Sequence, residues 1–192
     1  LLLRRAALID NATYLKLVTK TINGVAQAPG RKVQSVAQAS FDAWIKYYRQ
    51  DENTPNATVS YYTKGSLVAL CLDLSLRAQG KTTLDAVMRA LWVRCQGGPM
   101  TEADLLAVVE DLSGRAYTRE LAHWVHSTKE LPTTALLEQH GVQVHQEPDQ
   151  VAQQLGLRVK EGTGLFIHQV LRGGPAEKAG FASGDEWIAV QP

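Results

Sequence analysis

The longest strongly apolar stretch of the chain is YYTKGSLVALCLDLSL, residues 61–76. From Leu67 onward this stretch is too rich in leucine and alanine for a helix that lies on the surface with one face in water. It therefore predicts a central, buried helix. A polar turn cluster at residues 51–56 precedes it, so the two tyrosines at its start lie at the mouth of the helix.

The composition is that of a soluble globular protein able to bury a core. The chain has 192 residues, of which 45% are hydrophobic and 20% charged, and its formal net charge is +1. Nearly balanced charge gives no sign of the basic face that nucleic-acid binding would lead one to expect. The two cysteines are too few for a disulfide scaffold or a cysteine-based zinc module. No apolar run reaches the roughly 20 residues that a membrane span needs, so we expect neither nucleic acid nor membrane as a partner.

Helix caps divide residues 1–140 into a series of helices. Asp10, Thr83 and Thr101 each precede an apolar pattern with helical spacing, as N-cap residues do. Gly114 is placed to end the helix that Thr101 begins. Ser40 is predicted to cap a short amphipathic helix. The apolar positions of that helix are Phe41, Trp44, Ile45 and Tyr48.

After Gly141 the period changes from helical to alternating, which is typical of half-buried strands. The alternation predicts a strand around Val142 and Val144 and another across Leu155, Leu157 and Val159. Further strands are expected at residues 165–170 and 186–190. The fold class expected is a mainly α-helical domain, residues 1–140, followed by a small, incomplete α+β domain, residues 141–192.

The residues alone do not assemble a complete active site. No His-Glu-x-x-His or Gly-x-Ser-x-Gly pattern is present, and His123 and His126 lack a carboxylate beside them in sequence. Tyr61 and Tyr62 have two interpretations. Either one hydroxyl donates a hydrogen bond to a developing oxyanion, or both rings only pad the start of the helix.

A longer set of residues resembles the glycyl-aminopeptidase-like family of zinc metallopeptidases. The Tyr62-Thr63-Lys64-Gly65 element is similar to the Tyr-x-Lys-Gly of aminopeptidase-N-type enzymes. The similarity to the glycyl-aminopeptidase-like family extends over residues 29–36, 41–48, 56–65 and 67–74. This resemblance implies the helical half of a thermolysin-like catalytic domain, zinc as the cofactor of the full-length parent, and Tyr62 as oxyanion stabiliser with Tyr61 as the fallback.

A second resemblance covers the C-terminal part. Residues 164–170, 174–181 and 184–188 are similar to a bacterial PDZ domain, which the same peptidase family carries after its catalytic domain. The resemblance implies that protein C-termini bind there. Leu155, Gly156 and Leu157 would form the loop that receives the peptide carboxylate. An exposed sheet edge would also favour pairing into a homo-oligomer.

Together the resemblances predict a C-terminal fragment of a bacterial zinc metalloaminopeptidase that hydrolyses peptide bonds near peptide N-termini. The family's zinc ligands are expected upstream of Leu1 and the end of the PDZ domain after Pro192. We therefore expect no zinc in this chain, no activity of it alone, and a peptide or protein as substrate of the parent. The alternative is a non-enzymatic PDZ-containing adaptor or scaffold, and a PDZ-like part that only covers the peptidase domain is a third reading. Bacterial cytoplasm and periplasm fit equally well.

Overall fold

A computed structural model describes residues 2–147 and 151–189 of the chain. It is mainly helical and has one small antiparallel sheet of two strands, which confirms a helical part accompanied by a small β part. The chain forms two compact units, one from Leu1–Thr63 together with Glu147–Pro192 and the other from Lys64–Gln146. Contact-based units do not define evolutionary domains, so the limits 1–140 and 141–192 stay a prediction.

The helical part of the first unit begins with short and medium helices. The side chain of Asp10 caps the longest of them by accepting the Thr13 N–H at 2.8 Å, as the sequence predicts. A 3-10 turn at Pro29–Lys32 and a π-helical turn at Ala43–Tyr47 connect the α-helices. The α-helices are α1 Leu2–Arg5, α2 Asn11–Ala26, α3 Val36–Phe41 and α4 Thr54–Ala57.

Helix α5, Tyr61–Ala78, confirms the buried helix predicted from the apolar stretch. Leu67, Cys71, Leu72 and Leu76 on it are almost fully inaccessible to water. The helices that follow it in the second unit are α6 Leu84–Cys95, α7 Glu102–Ser113, α8 Thr118–Trp124 and α9 Thr133–Gln139. Among the described residues, no helix combines the length and the apolar content that crossing a membrane requires.

The predicted helix caps are confirmed except at Ser40. Thr83 and Thr101 cap α6 and α7, and Gly114 ends α7 in the left-handed conformation at φ 74°. The Ser40 prediction is wrong. Ser35 caps α3 instead, in a capping box with Gln38, and Ser40 lies inside the helix. The Ser35 hydroxyl oxygen accepts the Gln38 N–H, and the Gln38 side-chain oxygen accepts the Ser35 N–H. Both bonds form because a glutamine lies three residues after the serine.

The predicted apolar face behind Ser40 is also wrong, since its side chains are exposed. Phe41 is 90% and Trp44 79% accessible, and Ile45 and Tyr48 are more than half accessible. The π-helical turn breaks the 3.6-residue period on which that prediction depended.

The sheet of the first unit pairs β1, Leu157–Glu161, with β2, Leu165–Val170, in antiparallel register. It is flanked by the short helices α10, Val151–Leu155, and α11, Pro175–Lys178. A small core forms from buried Leu157, Ile167 and Ala176. Around this core pack the partly buried Leu155, Val159, Val170 and Trp187.

One strand prediction is wrong, and a second is confirmed except at its first residue, because β1 includes Leu157 and Val159. Residues 142–147 form no strand, because the Val142 N–H donates to the Leu137 carbonyl at 3.1 Å and wraps the end of α9. An apolar residue after a left-handed glycine, here Gly141 at φ 79°, is typical of a helix end. Leu155 belongs to α10 rather than to a strand.

The last predicted strand is reduced to a single bridge between Phe166 and Glu186 in the described residues. The Trp187 N–H still donates to the Leu165 carbonyl at 2.7 Å, so this segment follows the outer edge of β2 without forming a regular strand. Val190, the final residue of the predicted strand, lies outside the described residues.

Gly30 lies where two backbone segments of the first unit meet. A Cβ atom at Gly30 would overlap the backbone N, C and O atoms of Thr58, which cannot move as a flexible side chain can. Gly24, near the end of α2, has open space around it. Of these two glycines, close packing therefore requires only Gly30.

We expect Gly30→Ala to destabilise the protein by about 1–3 kcal/mol, the usual cost of forcing extra atoms into a packed region. Gly24→Ala is the matched control and should stabilise by about 0.5–1 kcal/mol, because alanine loses less entropy than glycine in a helix. Urea unfolding followed by circular dichroism measures both. Equal stability of Gly30→Ala and the wild type would contradict the proposed contact.

Asp104 joins the start of α7 to α6. Its carboxylate accepts hydrogen bonds from the Thr101 N–H at 3.0 Å and hydroxyl at 2.6 Å, and from Arg94 Nε at 2.9 Å. The bonds from Thr101 and then Arg94 lower the pKa of Asp104 to about 2 from 3.8. Because the charged form is the one that these donors favour, the contribution to stability is complete above pH 3.8 and is lost as the pH falls toward 2.

We expect Asp104→Asn to lower the melting temperature most at neutral pH, with the difference from wild type shrinking between pH 4 and pH 2. Glu110→Gln, an exposed change on the same helix, is the control and should show no such convergence. Melting followed by circular dichroism over this pH range makes the comparison. A difference that stays constant with pH would refute the role of the Asp104 charge.

Candidate functional site

Four tyrosines of the first unit form one group, here called the tyrosine cluster: Tyr47, Tyr48, Tyr61 and Tyr62. The π-helical turn delivers Tyr47 and Tyr48, and the first turn of α5 delivers Tyr61 and Tyr62. The Tyr61 and Tyr62 rings are stacked with centroids 4.3 Å apart, and Tyr47 meets Tyr61 edge to face at 5.3 Å. Both are favourable aromatic geometries.

The hydroxyl of Tyr48 lies at the centre of a hydrogen-bond network. Its Oη is 3.1 Å from that of Tyr61 and 3.0 Å from that of Tyr62. A hydroxyl donates one hydrogen and accepts with two lone pairs, so Tyr48 can serve both neighbours at once. Tyr62 keeps 58% of its surface accessible, so this side chain is largely open to solvent.

The network separates the acidities of Tyr61 and Tyr62. The hydrogen bond with Tyr48 lowers the pKa of Tyr62, because Tyr48 favours the phenolate of that residue. The same hydroxyl raises the pKa of Tyr61, with a further contribution from Tyr62. Tyr62 is thus the more acidic phenol of the pair, and a more acidic phenol is the stronger hydrogen-bond donor.

Ser60 fixes the point at which α5 starts and hence where these rings lie. Its Oγ accepts the Thr63 N–H at 3.3 Å, and its backbone carbonyl accepts the Thr63 hydroxyl at 3.2 Å. The Ser60 hydroxyl in turn donates to Tyr47 Oη at 3.3 Å. One residue therefore caps the helix and contacts the tyrosine cluster.

The sequence drew attention to Tyr61 and Tyr62 but missed Tyr48 as their partner. The amphipathic pattern predicts Tyr48 on the apolar face of a short helix. The contact joins residues 13 and 14 positions apart across an intervening turn. No local periodicity signals this contact. The available signal is that two Tyr-Tyr dipeptides, at residues 47–48 and 61–62, occur within one short region.

The described residues, 2–147 and 151–189, contain no group of three or more His, Cys, Asp or Glu side chains able to hold a metal ion. His126 is hydrogen-bonded to Glu102, with Nε2 2.7 Å from the carboxylate oxygen. The Nε2 atom of His123 is buried without a hydrogen-bond partner. These described residues therefore do not assemble a metal site.

The predicted carboxylate loop lies between α10 and β1. Leu157 is buried in the small core, and Leu155 packs against it. Gly156 adopts φ 76°, its N–H donates to the Gln153 carbonyl at 3.0 Å, and its carbonyl accepts the Leu171 N–H at 2.7 Å. Peptide binding by Leu155, Gly156 and Leu157 stays a prediction.

Comparison with known proteins points to peptidases. The sequence profile of the M61 glycyl aminopeptidase family matches residues 1–68, a segment that contains the whole tyrosine cluster. This part of the chain is similar to that family, and the match indicates a peptidase-related function and a hydrolase as the parent protein. The match ends before β1 and β2. None of the curated proteins compared with the chain matches it.

Replacing Tyr48 tests the network directly. We expect Tyr48→Phe to raise the pKa of Tyr62 toward the ordinary value of 10.0, because Tyr48 makes the larger of the two hydrogen bonds that lower it, the other being that of Tyr61. A spectrophotometric titration of phenolate absorbance measures this as the disappearance of the earliest-titrating tyrosine. Tyr14→Phe, on α2 outside the cluster, is the control and should leave the earliest step in place. An unchanged first step in Tyr48→Phe would contradict the network.

Proposed function

We propose that this chain belongs to a bacterial zinc metalloaminopeptidase of the M61 type, which hydrolyses peptide bonds near peptide N-termini. Its helical part would belong to the catalytic domain and its C-terminal part to a PDZ-like domain. The observation that carries the proposal is the tyrosine cluster, which lies wholly inside the segment similar to that family. In this proposal the catalytic part is the helical half of a thermolysin-like domain. The resemblance of the sequence to that family supports this finer assignment.

Tyr62 is the residue of this chain that acts on the substrate. When a nucleophile attacks a peptide carbonyl, negative charge develops on the carbonyl oxygen, and a positioned donor lowers the energy of that state. The Tyr62 side chain is exposed, and its lowered pKa makes its O–H a stronger donor than an isolated phenol. The hydrogen bond strengthens as the charge grows, so it favours the transition state over the bound substrate.

Tyr48 is a positioning residue in this scheme. The two hydroxyl oxygens are 3.0 Å apart. When Tyr48 is the donor of this hydrogen bond, the Tyr62 proton is left for another acceptor. Tyr61 is the fallback donor, and its raised pKa makes it the weaker one. The choice between two adjacent tyrosines thus depends on which of them receives the Tyr48 hydrogen bond.

The resemblance to a zinc peptidase family, and not a set of ligands in the described residues, is what implicates zinc. A bound zinc ion would supply an activated water for the attack on the carbonyl. In our proposal its ligands belong to a part of the parent protein other than the described residues. The role proposed for this chain is hydrogen-bond donation by its tyrosine hydroxyl groups.

The C-terminal sheet supports a PDZ-like role in peptide recognition or regulation. Residues 184–187 follow the outer edge of β2, whereas no described residue pairs with the outer edge of β1. An unpaired edge of this kind can accept an extended peptide or a second copy of the chain. The same edge favours the alternative function, a non-enzymatic adaptor that binds protein C-termini.

In the full-length peptidase, we expect Tyr62→Phe to lower kcat by about 10²–10³, the usual loss when one oxyanion donor is removed, with KM little changed. Tyr61→Phe is the matched control, because it removes a hydroxyl from the neighbouring ring and should reduce kcat far less. Steady-state hydrolysis of a short peptide measures both. An unchanged kcat in Tyr62→Phe would exclude the role, and a larger loss in Tyr61→Phe would transfer it to Tyr61.

A further inference from the structure

An open cleft of about 390 Å³ lies between two segments of the first unit that are distant in sequence. One wall comes from the end of α2 and the 3-10 turn, and includes Arg31 and Lys32. The other comes from the loop between β2 and α11, and includes Arg172. Asn56 lies between the walls.

The charge of this cleft has one sign. Arg31, Lys32 and Arg172 are basic, and none of the described residues that line the cleft is acidic. This contrasts with the whole chain, whose net charge is only +1. The side chains of Lys32 and Arg172 are exposed, and they reach the cleft from two segments that are distant in sequence. Cations concentrated in a concave surface attract an anionic ligand.

The backbone amides of the cleft are already engaged. The Arg172 N–H donates to Asn56 Oδ1 at 2.8 Å, and the Gly173 N–H donates to the Glu177 carboxylate at 2.7 Å. The Gly156 N–H donates to the Gln153 carbonyl. These three N–H groups are therefore not free to bind a small anion such as phosphate. Recognition would come from the long basic side chains.

We propose that this cleft binds an acidic peptide segment of a partner protein through its Asp and Glu side chains. Basic groups on two separate walls suit several carboxylates spaced along a chain better than one compact anion. The ligand needs no free terminus, because the residues that recognise it are side-chain cations. The proposal uses none of the tyrosine cluster, so it stands or falls independently of the proposed peptidase function.

The test measures binding of a fluorescent peptide of alternating Asp and Glu, blocked at both ends, to the 192-residue chain. We expect binding that weakens as salt is added, since surface charge pairs are screened. Lys32→Gln and Arg172→Gln should each weaken it about threefold to fivefold, the effect of losing one exposed charge pair. Lys16→Gln on α2 removes the same charge away from the cleft and should leave affinity unchanged.

The outcomes separate this proposal from its rivals. If Lys16→Gln lost as much affinity as the two cleft variants, the binding would be general charge attraction and the proposal would be overturned. No loss of affinity in the two cleft variants would overturn it as well. Competition by inorganic phosphate, measured with the ionic strength held constant by a compensating salt, would overturn it in favour of a small-anion site. Binding that requires a free C-terminal carboxylate would overturn it in favour of C-terminal capture. Both cleft side chains are exposed, so circular dichroism should show the variants folded as the wild type.

Discussion

The first unit depends on the side chain of Asn56, which connects two parts of the chain more than one hundred residues apart. Its Nδ2 group donates to the Val170 carbonyl at 2.8 Å and its Oδ1 accepts the Arg172 N–H at 2.8 Å. Asn56 is only 6% exposed, so any of these groups left unpaired would cost free energy. The asparagine amide offers an acceptor oxygen beside an NH2 donor group, so one side chain can make both bonds.

The anchoring of Asn56 also determines where the neighbouring segments lie. Two residues later, the Thr58 hydroxyl is hydrogen-bonded to the Gln34 side chain, and the Thr58 backbone lies directly against Gly30. Gln34 in turn donates to the Asp42 carboxylate at 2.9 Å, just before the π-helical turn. Buried polar groups that are all paired specify one arrangement, because a shifted register would leave several of them unsatisfied.

What the sequence predicted well are features set by local physics. Asp10, Thr83 and Thr101 cap helices because their side chains reach an N–H three residues on, whatever the rest of the fold does. The burial of α5 follows from its composition alone. Ser40 failed because a better cap, Ser35 with Gln38, lies five residues earlier in the chain. Each of these outcomes can be traced to a handful of neighbouring residues.

The features that were missed depend on long-range pairing. Asn56 belongs to a polar cluster that looks like any turn, and nothing near it in sequence announces Val170 or Arg172 as partners. Lys32 and Arg172 are ordinary surface cations until the fold places them on opposite walls of one cleft. Tyr48 looked like part of a packed helix face until a π-helical turn changed the period. Candidate sites in this chain arise where such distant contacts bring residues together.

The segment from Asn56 to Ser60 links the two candidate sites through one short stretch of backbone. Its first residue holds the loop that carries Arg172, and its last residue caps α5 and contacts Tyr47. Only three residues separate Asn56, whose side chain is fixed by buried hydrogen bonds, from Ser60, which caps the start of α5. The backbone between them therefore has little freedom. The positions of the Arg172 loop and of the Tyr61–Tyr62 pair are therefore set by the same local constraint. A substitution at Asn56 would disturb both, so it cannot separate the functions of the two sites. Exposed side chains such as Lys32 and Tyr62 can be changed one site at a time.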